Sequence, residues 1–126
     1  MTLTTLATVT KTLGHGSRLR ILAILRAGPL SVCQIAAVLA APVSTVSGYL
    51  LELRQAGLVV ERRRGRWIFY RLTEDGTLAA LLGTLLASID SDPDVQRDGA
   101  AAAGLRRESP SALCEASVAN APQVSS

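Results

Sequence analysis

Residues 31–58 read SVCQIAAVLAAPVSTVSGYLLELRQAGL and contain the signals for two short helices joined by a tight turn. Ser31 and Gln34 have the spacing of a capping box, in which each side chain bonds to the backbone amide of the other residue. After a three-residue turn, Pro42 suits the first position of a second helix, because proline has no amide hydrogen to leave unsatisfied there. Gly57 follows that helix as the expected left-handed residue. This arrangement predicts a helix-turn-helix.

Short side chains occupy the start of the second predicted helix. Such side chains let a helix end enter the major groove deeply and bond to phosphates or base edges. An alternative is that the serines and the threonine only cap the helix. The predicted DNA-binding residues of this helix are Val43, Ser44, Thr45, Ser47 and Tyr49.

A β-hairpin is predicted directly after the helix-turn-helix. The β-prone runs 59–63 and 66–72 flank the dipeptide Arg64-Gly65. Glycine suits a turn position that requires a positive φ, so this pattern is typical of a tight hairpin.

Positive charge is concentrated in and around this hairpin. Residues 54–71 carry six of the thirteen basic residues of the chain, with only Glu61 opposing them. Clustered arginines neutralise phosphates and displace their counterions. We therefore expect Arg63, Arg64 and Arg66 to contact DNA from the tip of a wing. The alternative is a solvated hairpin with no partner.

Length and composition indicate one folded domain with a partner subunit. The chain has 126 residues, of which 48% are hydrophobic, and a net charge of +3. Residues 78–89 are almost entirely apolar, and a helix that is apolar on all sides must be buried. We expect one face of this helix to cover the core and another to meet a second subunit. The alternative is a helix packed wholly within one chain.

The predicted fold is mainly α-helical with a small β-hairpin, as in a dimeric winged helix-turn-helix. Residues 1–90 are assigned to a DNA-binding and dimerisation domain. Residues 91–126 are rich in alanine, serine, glycine, proline and aspartate, and are predicted to form a flexible tail that carries Cys114.

The sequence also argues against several classes of protein. It shows no charged-then-apolar leader and no apolar run of membrane-spanning length, so we expect a cytoplasmic protein with no membrane partner. An enzyme is not expected, because the chain has one histidine, no paired carboxylates in a cleft-like pattern and no glycine-rich phosphate loop.

Taken together, several stretches resemble the ArsR/SmtB family of metal-responsive repressors, over roughly residues 13–72. The resemblance implies a homodimer that binds double-stranded operator DNA in the apo state and leaves it when an inducer binds. Two positions depart from the family pattern: Pro42 replaces a polar residue, and Gly48 stands where members usually carry a basic one. The matching stretches are residues 17–22 (SRLRIL), 32–36 (VCQIA), 44–47 (STVS), 53–59 (LRQAGLV) and 64–72 (RGRWIFYRL).

The cysteines match the arsenic-responsive branch of this family in part. That branch often has three cysteines around the helix start. Cys33 occupies one of these positions, whereas Ser31 and Ala36 occupy the other two. The zinc-type site of the family requires histidine and acidic ligands on the last helix, where this chain has no histidine, so no zinc is expected.

Cys33 is the first candidate metal ligand because it lies on the first turn of its helix, where the helix dipole favours a thiolate. Soft thiolates select soft acceptors. With Cys114 as the second ligand, two thiols fit trivalent arsenic as the inducer, either arsenite with one oxygen retained or methylarsenite. One alternative is a redox or persulfide sensor that switches through a Cys33–Cys114 bridge. Another is that Cys33 is only a small buried hydrophobe.

Overall fold

A computed structural model describes residues 1–108, which form six helices and three short strands. Within these residues no single helix is both long and apolar enough to cross a membrane, and the bent helix pair Val32–Leu39 and Val43–Gln55 meets that test only by length and composition. The elements are α1 (Leu3–Leu13), α2 (Gly16–Leu25), β1 (Leu30–Ser31), α3 (Val32–Leu39), α4 (Val43–Gln55), β2 (Val59–Arg64), β3 (Trp67–Leu72), α5 (Gly76–Ala87) and α6 (Pro93–Arg106).

The core lies among the helices, and the sheet packs against one side of it. Strands β2 and β3 form the expected antiparallel hairpin, and β1 adds a third strand in the order β1-β3-β2. The prediction of a mainly helical winged helix-turn-helix is confirmed. The fully buried side chains are aliphatic, as the scarcity of aromatic residues requires: Val9, Ile21, Leu22, Leu30, Ile35, Val46, Leu50, Leu53, Leu58, Val59, Leu82 and Leu86.

The capping box and the glycine stop around the two central helices are confirmed, whereas Pro42 precedes α4 as its N-cap and does not occupy its first position. The Gln34 amide donates to the Ser31 hydroxyl at 3.3 Å, and the Ser31 amide donates to the Gln34 side-chain oxygen at 2.8 Å. Gly57 has a φ of 79°, and the following amide of Leu58 bonds to the carbonyl of Leu53 at 2.9 Å. Gly57 therefore ends helix α4 in the left-handed conformation that is expected just after a helix.

The hairpin turn lies one residue later than expected. Strand β2 includes Arg64, so Gly65 and Arg66 form the connection, and Gly65 has a φ of 60°. Glycine adopts this left-handed conformation without the steric penalty of a β-carbon. The shift is small, but it fixes which arginines share a face of the hairpin.

Helix α5 buries one face and exposes another. Leu82 is 1% exposed and packs in the core with Leu86, whereas Leu85 is 40% exposed. The helix begins at Gly76 and ends at Ala87, two residues earlier than the sequence pattern indicated. One chain therefore leaves part of this apolar helix in contact with water.

The prediction of a flexible segment beginning at residue 91 is wrong for α6. Asp92 caps this helix by accepting from the amides of Asp94 and Val95, and Pro93 occupies its first turn. Asp98 and Ala102 are buried against the rest of the chain. A capped start and a buried face together stabilise a helix whose composition alone resembles a tail. Cys114 lies outside the described residues.

Candidate nucleic-acid interface and cysteine site

Helices α3 and α4 meet at the angle of a helix-turn-helix. Their directions differ by 112°, within the range of roughly 90–120° that is typical of the motif. Ala40 makes the turn with a left-handed φ of 52°, and its amide bonds back to α3. The turn projects the first residues of α4 away from the core.

The exposed surface at the start of α4 consists of small polar side chains. Ser44, Thr45 and Ser47 are exposed, as we expect of residues that contact a DNA groove. Val43 and Tyr49 are half-buried and pack against the core. The structure thus divides the five predicted residues of α4 into three that face solvent and two that also anchor the helix.

Gly48 lies on the same exposed surface of α4, next to Ser47. A β-carbon placed on Gly48 would meet no atom within 4 Å. The backbone at this position therefore leaves room for a β-carbon.

Sequence reasoning missed two residues that support α4 from the side. The His15 ring lies 5.0 Å from the Tyr49 ring, and the Arg18 guanidinium lies 6.0 Å from the centre of the same ring. Arg18 also forms an ion pair with Glu52 of α4. No periodicity links these residues, because they come from the α1–α2 junction and reach α4 only through the tertiary fold.

The register of β2 and β3 separates the wing arginines between two faces. Arg62 pairs with Phe69, and Arg63 pairs with Ile68. Residues directly opposite each other in an antiparallel pair share a face, and successive residues alternate between faces. Arg62 and Arg64 therefore lie on one face of the hairpin, and Arg63 lies on the other.

The inner face of the wing is the one nearer to α4. Arg54 near the end of α4 donates to Glu61 at 2.8 Å, and Glu61 shares a face with Arg63 and Tyr70. We call the opposite side the outer face. The outer face carries Arg62, Arg64, Trp67, Phe69 and Arg71.

Aromatic rings hold two of the predicted contact residues near the tip. The Arg66 guanidinium lies 4.8 Å from the centre of the Trp67 ring, and that of Arg64 lies 5.9 Å from the Phe69 ring. Both arginines are exposed, as is Arg63. Cation–π contacts of this kind restrict the side chains near the tip of the hairpin.

Cys33 occupies the second position of α3, inside the capping box formed by Ser31 and Gln34. Its side chain is only 6% exposed, and its sulfur is disulfide-bonded, a state in which it does not titrate. Gln34 also donates from its side-chain nitrogen to the Leu105 carbonyl of α6 at 3.1 Å. The cysteine therefore lies where the start of α3 meets the end of α6.

The described part of the chain contains no cluster of three or more histidine, cysteine, aspartate or glutamate side chains that could hold a metal ion. Cys114, the second cysteine that the sequence analysis singled out, lies outside that part. The structure thus describes one of the two predicted thiol ligands and all of the predicted DNA-contacting residues.

Comparison with known proteins identifies a family and a common architecture. The family described as "Bacterial regulatory protein, arsR family" matches residues 15–60, which run from the start of α2 into β2. The HTH-type transcriptional regulator KmtR of Mycobacterium tuberculosis is 32% identical over 98 residues, which are 78% of this chain and 75% of KmtR.

Two further proteins resemble shorter parts of the chain. An arsenic resistance transcriptional regulator of Pseudomonas putida is 40% identical over 65 residues, and the match spans only 51% of each protein. The homodimeric winged helix-turn-helix DNA-binding domain of a possible ArsR-family transcriptional regulator from Mycobacterium bovis has a TM-score of 0.64 and 33% identity. That likeness covers 72% of this chain and 83% of the solved one.

Proposed function

This chain belongs to the arsR family of bacterial regulatory proteins, and we propose that it is a transcriptional repressor that binds double-stranded operator DNA as a homodimer and is released by trivalent arsenic. A single observation supports the DNA-binding part most strongly. The exposed first turn of α4 and the arginine-rich wing tip belong to consecutive elements of the chain, and the Arg54–Glu61 ion pair joins the end of α4 to β2. A regulator of this kind acts in the cytoplasm and performs no catalysis.

The proposed DNA contacts have two roles: some read the base sequence, and others anchor the protein to phosphates. Ser44, Thr45 and Ser47 offer short donors and acceptors at a helix start, which suits contacts with base edges in a major groove. Arginines at a hairpin tip suit phosphates, which contribute affinity with little sequence information. The anchoring role falls to Arg63, Arg64 and Arg66.

The homodimer is proposed from apolar surface that one chain leaves exposed. Leu3 and Leu6 of α1 are 85% and 40% exposed, and Leu85 of α5 is 40% exposed. Exposed apolar surface that forms a contiguous patch is typical of interaction sites. A two-fold dimer through α1 and α5 would present two copies of α4 to successive major grooves.

Selection of duplexes from a random pool, followed by fluorescence anisotropy, tests the reading role. We expect the wild type to enrich one two-fold-related sequence. Thr45→Ala with Ser47→Ala should reduce the preference for that sequence over point variants, by about tenfold for each hydrogen bond to a base edge that is removed. Gln55→Ala, at the far end of α4, is the matched control. A preference that survives the double substitution would remove α4 from the reading role.

Trivalent arsenic is proposed as the inducer from thiol chemistry and from a relative. The Pseudomonas protein described above is named an arsenic resistance regulator. Trivalent arsenic exchanges its oxygen ligands for sulfur, and reduced Cys33 and Cys114 offer two thiols to arsenite or to methylarsenite. Because Cys33 lies at the start of α3, a new bond at its sulfur acts on the helix that supports α4. No zinc is involved in this proposal.

The cysteine variants test the inducer. Reduced wild type should release its operator when arsenite is added, with one arsenic bound per chain. Cys33→Ser should stay on DNA at every arsenite concentration, and Cys114→Ser should lose most of the response while it still binds DNA. A normal arsenite response in Cys114→Ser would contradict the two-thiol site.

A redox or persulfide sensor is the second candidate, and the disulfide-bonded state of Cys33 favours it. In this version a Cys33–Cys114 bridge replaces bound arsenic as the signal that releases DNA. Two thiols lose two electrons and two protons to an oxidant such as a peroxide or a persulfide when the bridge forms. Operator release by peroxide or persulfide, with no response to arsenite, would decide for this candidate.

A further inference from the structure

A cavity of about 330 Å³ lies between the outer face of the wing and the end of α6. Arg62, Arg64 and Arg71 line it from the wing, and Arg106 lines it from α6. Glu108 is the one acidic residue of the described lining. Four cations around one cavity repel one another, so the arrangement favours an anion at its centre.

Two of these arginines have donors that the described residues leave unused. The Nε atoms of Arg71 and Arg106 are buried and have no hydrogen-bond partner among residues 1–108. Arg106 is held in place because its Nη2 donates to the carbonyls of Ile24 and Gly28, at 2.7 Å each. A buried Nε–H without a hydrogen-bond partner loses its hydration without compensation.

Burial also lowers the pKa of the Arg106 guanidinium from its ordinary value, because a buried charge is poorly solvated. No ion pair joins Arg106 to an acidic side chain within the described residues. Arg71, in contrast, donates to Glu74 at 2.6 Å. An anion in the cavity would therefore neutralise Arg106 in particular.

We propose that this cavity binds a small organic anion. The anion carries an oxyanion group, such as carboxylate or phosphate, on a flat apolar body. The guanidinium group binds such oxyanions through two parallel hydrogen bonds. Pro29 and the Phe69 ring supply apolar wall. The volume is at the lower end of the range for small-molecule sites, so the ligand has the size of a simple metabolite.

The cavity is separate from most of the proposed DNA contacts. Of these contacts it shares only Arg64, which lines it from the outer face; Arg63 and the Arg54–Glu61 pair lie on the face nearer to α4. It also touches Gln34, which caps α3 beside Cys33. A ligand here would contact both the wing and the start of α3, and the site goes beyond the metalloid response proposed above.

Fluorescence of Trp67 provides the test, because it is the only tryptophan and lies on the outer face. The reduced full-length protein is titrated with benzoate, phenyl phosphate, inorganic phosphate and the neutral amide benzamide. We expect saturable binding of benzoate or phenyl phosphate and none of benzamide. The stronger of the two organic anions identifies the preferred oxyanion, and inorganic phosphate measures the charge alone.

Neighbouring arginines provide matched variants with the same change of charge. Arg62→Gln, on the outer face, should weaken anion binding by about tenfold, the loss expected for one charge-assisted contact. Arg63→Gln, on the opposite face, should change it by about twofold or less, and both variants should melt like the wild type. Equal losses in the two variants, equal binding of benzamide, or no saturation by any probe would overturn the proposal. Operator binding by the wild type is measured separately, so either proposal can fail alone.

Discussion

Helix α5 is apolar along nearly its whole length, whereas α6 contains two glycines, four alanines and four charged residues. Composition therefore suggests that α5 is buried and that α6 is a solvated tail. In the structure each helix buries two residues, Leu82 and Leu86 in α5 and Asp98 and Ala102 in α6. The two helices are attached to the domain to a similar extent, by different interactions.

Burial of leucine attaches α5, and paired polar groups attach α6. Asp98 is 2% exposed and accepts two hydrogen bonds from Arg20 of α2, at 2.7 and 3.0 Å. Arg106 and Leu105 make further bonds to α2 and α3. Average hydrophobicity detects the first kind of attachment and is blind to the second, because specific polar pairing depends on geometry.

The largest loss of stability is expected from a substitution on the buried face of α5. Leu82→Ala should lower the free energy of unfolding by roughly 2–5 kcal/mol, because it removes buried methyl groups and leaves a cavity. Leu85→Ala, one turn away on the exposed side, should change it by about 0.5 kcal/mol or less in the monomer. Urea denaturation at low protein concentration measures both. Equal losses would mean that α5 is not oriented as described.

A smaller loss is expected when the ion pair of α6 is broken. Arg20→Ala should cost about 3 kcal/mol, near the low end for removing one partner of a buried pair, because Arg97 remains near Asp98. Arg97→Ala removes only an exposed cation and should cost about 0.5 kcal/mol or less. Stability of Arg20→Ala equal to that of the wild type would show that the Arg20–Asp98 pair does not attach α6 to the domain.

The sequence prediction of a flexible tail overlooked both the start of α6 and its docking. Asp92 and Pro93 form a cap followed by proline, which is a helix-start signal of the same kind as those that located α3 and α4. The pairing of Arg20 with Asp98 joins residues 78 positions apart, and no local pattern indicates it. Local signals therefore located α3, α4 and the hairpin, whereas α6 and its long-range attachment were missed.

The exposed side of α5 predicts an effect on assembly rather than on folding. Leu85→Glu should weaken the dimer by about tenfold or more, because a carboxylate would be buried without a partner at a leucine-lined interface. Thr84→Glu, at the neighbouring exposed position, is the control for added charge. Sedimentation equilibrium measures the dissociation constant. Unchanged dimerisation in Leu85→Glu would remove this side of α5 from the interface.

The smallest predicted effect tests directly whether α5 and α6 are both stable helices. Gly99 of α6 and Gly83 of α5 both have open space where a β-carbon would be added. Gly99→Ala should raise the free energy of unfolding by about 0.5–1 kcal/mol, as alanine does in exposed helix interiors. Gly83→Ala is the reference on α5. No gain at Gly99 with a gain at Gly83 would indicate that α6 is not a stable helix in solution.

The candidate site shows the same division between local and long-range information. The exposed residues Ser44, Thr45 and Ser47 followed from the helix boundaries. The sequence could not assign Arg63 and Arg64 to opposite faces, because that depends on a turn placed one residue later than expected. The contact of Cys33's neighbour Gln34 with α6 also depends on tertiary packing.

The salt dependence of operator affinity tests most directly whether this chain anchors itself on DNA through its wing. Anisotropy titrations of the reduced wild type and of the double variant Arg63→Gln, Arg66→Gln are compared over a series of salt concentrations, with Arg62→Gln as the matched outer-face control. The slope of log affinity against log salt should become shallower by about one unit for each phosphate that the wing no longer neutralises, and the control should keep the wild-type slope. A double variant with the slope of the wild type would contradict the account.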